Sequence, residues 1–414
     1  MSTRECSPEA DCPPGGSGSG RSRRRPGQAG RLLGSVRPLR HRSYALLWSA
    51  GLVSNIGSWM QAVAVGALLI SRTGQATWAV LVAAAAFLPI GLLSPVGGAL
   101  ADRIARRPVL IGGNLAAAAV AVALAIEVSS GRGSPIVLVG LVAVQGSASA
   151  VIGPFQQAIL PDLVPAEEFL PAIALNSAQF NLGRIAGPAL AGATIAAFGY
   201  PLAFDANAVS FLAVVAALMF VRLAPPAGRG HDSLLGSLRQ GFTVARTEPS
   251  CWSAVVTIAV VALIASPFIA LVPAMAERLS GGGARGVASA TGVLTTAQGI
   301  GAVALFAVGA IYISVLSGLS AVVQFHAPSA YRGRVLSFYL VALGVAYPVG
   351  SLLQGPIVDR IGIGWTTTGT ALLLWLVLGL AAATLPAARR ALLLPAPVEH
   401  LPALPPPRSA RALR

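Results

Sequence analysis

An arginine stands near the middle of an apolar stretch long enough to cross a bilayer. Arg184 falls about midway along residues 172–199, where a charge costs several kcal/mol unless it meets water or a partner. Asp205, the nearest acid in sequence, sits close to the far boundary, and Arg184 is about 22 Å short of that boundary at 1.5 Å per residue. Two roles stay open for it. It faces a central cavity and attracts an anionic or polar group, or it is satisfied structurally by carbonyls and amides such as that of Asn181. Asn55, Gln61, Asn114, Gln145, Gln179 and Gln298 also fall inside apolar stretches. Each either lines a cavity wall or makes a hydrogen bond between helices. Arg184, Asn55, Gln61, Asn114, Gln145 and Gln179 are the candidate substrate-pathway residues.

Other chemistries find few residues to use. All 29 basic residues are arginine, so there is no lysine for a phosphate-binding loop or a Schiff base. Cys6, Cys12 and Cys251 have no CxxC spacing, and His41, His231, His326 and His400 are scattered. That spacing supports neither a metal site nor a disulfide framework. No nucleophile–base constellation is visible, and no enzyme activity, metal or cofactor is expected.

The elements that must position these residues follow from composition. The chain has 414 residues, 55% apolar and only 10% charged, whereas soluble domains carry about 25% charged residues. An all-α polytopic membrane protein is expected. Residues 1–43 read as a disordered, basic cytoplasmic tail and residues 388–414 as a disordered Pro/Arg-rich tail. Between them, crossings of about 20 residues fall near 44–70, 79–101, 108–126, 135–154, 172–199 and 202–221. These six form an N-terminal bundle over residues 44–221. Residues 222–251 read as a cytoplasmic loop. An incomplete C-terminal bundle over residues 252–387 has spans near 252–274, 335–358 and 367–384, with an uncharged run over 286–331.

Arginine placement orients the spans. With the N-terminus inside, 23 of the 29 basic residues fall on the cytoplasmic side and five outside. The chain reads as a multi-pass membrane protein with its N-terminus on the cytoplasmic side. The net charge of +15 sits in loops and tails without interleaved aromatics, so it points to the bilayer and not to nucleic acid.

An internal repeat is visible at an offset of 163, where Pro165, Gly187, Gly192 and Gly199 fall on Pro328, Gly350, Gly355 and Gly362. The first and seventh spans are instead about 208 apart, so about 45 residues are expected to be missing from the second half. Parallel halves of this kind are one transporter architecture. Arg285 outside and Arg332 inside require an odd number of crossings between them. One crossing with a broken or re-entrant piece gives ten spans, whereas eleven would leave five tail arginines outside.

The run Gly98-Ala-Leu-Ala-Asp102-Arg103-Ile-Ala-Arg106-Arg107 resembles the loop signature of the major facilitator superfamily, G-x-L-a-D-r-x-G-r-r, with Ala105 at a glycine position. Gly183-Arg-Ile-Ala-Gly187-Pro188-Ala-Leu-Ala-Gly192 resembles the G-x-x-x-G-P-x-x-G-G signature of its exporters, with Ala191 in place of one glycine. Leu160-Pro-Asp-Leu-Val-Pro165 and Tyr331-Arg-Gly-Arg-Val335 are similar to its drug and siderophore exporter branch, of the enterobactin-exporter type. The resemblance covers nearly all of residues 37–388.

The resemblance implies a two-bundle fold with about ten transmembrane helices instead of twelve. It implies a monomeric secondary transporter that exports a drug, siderophore or other metabolite by alternating access, in exchange for protons. Gly98, Asp102, Arg103, Arg106 and Arg107 at the cytoplasmic end, with Gly183, Gly187, Pro188 and Gly192 in the fifth span, would be the gating residues. Gly183, Gly187 and Gly192 permit close helix approach and Pro188 kinks its helix. Asp205, Glu127 and Glu277 all lie toward the outer ends of their spans, so proton coupling rests on the resemblance. The shortened second half leaves an alternative, a non-transporting relic or membrane interaction protein. A reporter active only in the cytoplasm, fused after Arg414, should give signal; a signal only from a periplasmic reporter would replace ten spans with eleven.

Overall fold

The computed structural model describes residues 36–101, 103–131, 133–223, 242–265, 267–281, 283–303, 319, 322–323, 326 and 332–384. Among them every regular element is helical. The long helices are α1 (Arg42–Thr73), α2 (Ala76–Ala101), α3 (Arg106–Ser129), α4 (Pro135–Ala158), α5 (Phe169–Phe198) and α6 (Tyr200–Phe220). They continue as α7 (Pro249–Ile264), α8 (Val272–Ser280), α9 (Ala284–Val303), α10 (Arg332–Ile361) and α11 (Ile363–Thr384). Residues 242–247 add a helical turn ahead of α7.

Eight segments are long and apolar enough to cross a membrane, with α7, α8 and the turn between them counted as one span. Helices α5 and α9 have 30 and 20 residues, or about 45 and 30 Å of length, against a hydrocarbon core of about 30 Å. That makes ten helices of crossing length among the described residues, in line with the sequence expectation.

Helices α1 to α6 form one bundle, in which α1 packs on α5 and α6, α2 on α4, and α3 on α4 and α6. In the second bundle α10 packs on α7, and α8 on α9. The bundles meet along two main seams, α2 with α10 and α5 with α9, and α1 also touches α9 and α8. The offset of 163 read from the sequence is a structural repeat. Phe169–Phe198 and Arg332–Ile361 overlie one another at that offset, and their last residues, Phe198 and Ile361, match. Each lies against the first helix of its own bundle and a helix of the other. Each also ends on a glycine in the left-handed region, Gly199 at φ 87° and Gly362 at φ 86°, where a Cβ would be strained.

The α7–α8 span is broken, and the break is chemically accounted for. Pro267 has no N–H to give the Leu263 carbonyl, which would otherwise lie bare at membrane depth. The Gln354 side-chain amide of α10 donates to it at 3.4 Å and to the Ile264 carbonyl at 2.9 Å.

Lipid gives helices no hydrophobic drive to associate, so they cohere by close van der Waals approach at small residues. Across the α2–α10 seam a Cβ placed on Gly344 would lie 2.6 Å from the Gly91 Cα, so the backbones nearly touch. Phe87 and Tyr347 meet edge to face beside it at 5.2 Å. Helix α11 is peripheral; Trp365 and Trp375 are 76% and 80% exposed, an arrangement suited to acyl chains. Gly344→Leu should destabilise the fold by about 1–3 kcal/mol or more through overpacking, read as a lower melting temperature in detergent. Gly369→Ala, where a Cβ meets nothing within 4 Å, should leave it unchanged or slightly raised.

Candidate functional site

The second seam is built from the Gly–Pro run on α5. Gly183 and Gly187 face α1: a Cβ at Gly187 would lie 2.5 Å from the Trp59 Cβ and 2.7 Å from the Ile56 carbonyl oxygen. On α9, a Cβ at Gly292 would lie 2.5 Å from the Pro188 carbonyl oxygen, and Gly192 faces Ser289. Thr296 of α9 donates its hydroxyl to the Ile185 carbonyl at 3.2 Å. Pro188 removes the N–H that the Arg184 carbonyl would accept, so α5 is weakened where it touches both bundles. Internal prolines also mark the two helices of the other seam, Pro89 and Pro95 in α2 and Pro348 and Pro356 in α10.

Arg184 is half-buried between these contacts and is not without a partner. Two polar groupings stand on α1. Asn55 donates to Gln179 at 3.2 Å, and Gln179 donates to the Trp48 carbonyl at 2.5 Å. Farther along, Asn207 donates to Gln61 at 2.7 Å, and Ser210 donates to the Asn207 side chain at 3.0 Å; all three residues are buried. Of the candidate pathway residues, the structure thus joins Asn55 to Gln179 and ties Gln61 to α6. Asn114 is buried and bonds within its own helix, to the Leu110 carbonyl. The Gln145 Oε1 is buried without a hydrogen-bond partner among the described residues. The Gln298 side chain lies outside them.

At the arginine-rich end Gly98 has open space around it, and Asp102 lies outside the described residues. Arg103 is exposed and not without a partner. Arg106 and Arg107 occupy the start of α3, where the helix dipole disfavours positive charge, and both find compensation. Arg106 pairs with Asp162 at 2.7 Å, and Arg107 donates at 2.5 Å to the Met219 carbonyl at the end of α6, where carbonyls lack intrahelical donors. Both contacts stay inside the first bundle.

Sequence reasoning missed two polar residues. Asn207 gave the same signal as Asn55, an amide within an apolar run. Asp359 sits at the end of α10 and accepts hydrogen bonds from the start of α2. Nothing local in the sequence signals that contact, which joins positions 283 apart.

Two helical bundles, proline-bearing helices at both seams and polar side chains within the spans define a multi-pass helical membrane protein. The model of the transmembrane secretion effector family, a branch of the major facilitator superfamily, matches residues 33–307. The chain belongs to that family. It is 30% identical over 169 residues to the staphyloferrin A transporter of Staphylococcus aureus, a match covering 41% of this chain and 43% of that protein. It is 27% identical over 397 residues to the multidrug efflux pump Tap of Mycobacterium tuberculosis, covering 83% of this chain and 93% of the pump. The chain thus spans less than half the length of the staphyloferrin A transporter and nearly all of Tap. Its fold is shared with an inward-facing bacterial homologue of the human lysosomal transporter Spinster, at 16% identity and a TM-score of 0.51, over 85% of this chain and 82% of that one. The family and these relatives are transporters, not enzymes.

The Gln61–Asn207 pair yields a stability prediction. Asn207→Ala strands a buried amide oxygen and should cost about 1–2 kcal/mol in mixed-micelle unfolding. Combined with Gln61→Leu, the loss should fall below the sum of the two single variants.

Proposed function

We propose that the chain exports a small molecule of the drug or siderophore class across the bacterial inner membrane by alternating access, in exchange for protons. The Arg103–Arg107 end faces the cytoplasm, as the arginine distribution favours. The observation that carries the reading is the position of α5. Gly187 fits it against α1, the Pro188 carbonyl lies on Gly292 of α9, and proline weakens the helix between them. A helix shared by both bundles and weakened at the shared point lets them rock as bodies. Arg184, on the same turn, is the binding residue for an anionic or polar group, with Asn55 and Gln179 beside it on the α1 face. Gly98, Asp102, Arg103, Arg106 and Arg107 gate the cytoplasmic end. The efflux-pump and siderophore-transporter relatives support the substrate class.

The relic or membrane-interaction reading has one observation on its side. Helices α2 and α9 start 208 residues apart but α5 and α10 only 163. Residues 304–331 stand between α9 and α10, where residues 102–168 stand between α2 and α5. On that reading the second bundle has lost cavity wall and moves nothing.

Efflux of a preloaded fluorescent cationic dye and of a ferric-siderophore mimic, from cells stripped of their own pumps, separates the two. Expression of the chain should speed efflux of at least one, and Pro188→Leu should slow it roughly tenfold or more at unchanged membrane abundance. No efflux of a broad panel by a well-folded chain would favour the relic.

A further inference from the structure

Asp359 sits where its own helix disfavours it. It lies in the last turn of α10, the negative end of the helix dipole, where a carboxylate is unfavourable. Across the seam is the start of α2, a helix with no charged residue along Ala76–Ala101. Its first N–H groups have no acceptor within the helix. Asp359 supplies one. Ala76 N–H donates to Oδ1 at 2.7 Å, Thr77 N–H to Oδ2 at 3.1 Å, and the Thr77 hydroxyl to Oδ2 at 2.5 Å. The first bundle is thus capped by a side chain of the second.

We propose that Asp359 is the latch that holds the two bundles closed at the end opposite the Arg103–Arg107 loop, and that its release opens the pathway there. The contact uses both carboxylate oxygens against three donors. Charge-assisted bonds of this kind are about twice as strong as neutral ones. It also restores itself. When the bundles separate, Asp359 is left at an unfavourable helix end and α2 is left uncapped, so both sides favour re-closure until something competes. Thr77, beside the close approach of Gly355 to the α2 backbone, fixes the register in which the contact forms. The latch gives the alternating-access reading its second gate and rests on that reading. Its test reads conformation and not transport.

Spin labels would be placed on the full chain with Cys6, Cys12 and Cys251 replaced. One pair, at positions 130 and 364, reports on the Asp359 end; the other, at 104 and 247, reports on the arginine-rich end. In the parent chain the 130–364 distances should be mainly short. Asp359→Ala should raise the long-distance population at that end on the order of tenfold and shorten the 104–247 distances. Asp359→Asn, which keeps one acceptor oxygen, should shift less, and Thr77→Val, which loses the hydroxyl bond alone, least. Unchanged 130–364 distances in Asp359→Ala would overturn the latch. So would broadening at both ends together, the mark of a merely structural cap. A chain that exports nothing but shows the opposed shift keeps the latch and loses the export reading.

Discussion

Close contact between backbones is the constraint from which the rest of this structure follows. Lipid tails are as apolar as leucine, so burying leucine between helices gains little, and cohesion comes from dispersion at short range. Such approach needs residues without bulk. Gly91 meets Gly344 at one seam and Gly292 meets the Pro188 carbonyl at the other. The high glycine and alanine content thus has a direct consequence in the fold. The same lack of solvent explains the accounting at the α7–α8 break, where Gln354 serves carbonyls that proline leaves bare.

Polar side chains then divide by what surrounds them. Inside the first bundle they are used as ties. Tyr44 bonds to the Ala172 carbonyl, Trp48 to the Leu175 carbonyl, Asn55 to Gln179, and Gln61 to Asn207. At its arginine-rich end His41 lies 3.0 Å from Glu168 and Arg106 pairs with Asp162. Each tie links elements of the same bundle, so its effect is to stiffen that bundle without fixing it to its neighbour.

Much of this architecture was legible in the sequence because hydropathy, glycine spacing and repeat register are local properties. Helices α5 and α10 match at an offset that four residues had already marked. Gly199 and Gly362, the last of those matches, turn out to share a positive φ, which glycine tolerates best. The pairing of polar residues was not legible. Asn55 and Gln179 stand 124 positions apart and Asp359 and Ala76 stand 283 apart, and a sequence lists such groups without saying which face one another. Arg106 and Arg107 were read as a gate from their resemblance to a loop signature, yet their observed partners lie within one bundle. Asp359 was passed over because an acid at a span boundary looks like ordinary interfacial polarity until the helix start opposite it is known.

The distribution of contacts decides which motion costs least. Separating α1 from α5 or α6 would break several buried hydrogen bonds, each expensive to leave unmade without water. Sliding α2 on α10, or α5 on α9, mostly exchanges one set of short-range glycine contacts for another. The hydrogen bonds described across the seams are few: Thr296 to Ile185 midway along one, and the Asp359 cap at one end of the other. On the proposed alternating-access reading, bundles cross-tied within and joined by few described hydrogen bonds would rock as bodies. The Asp359 cap at one end would then act with the full leverage of a helix about 45 Å long.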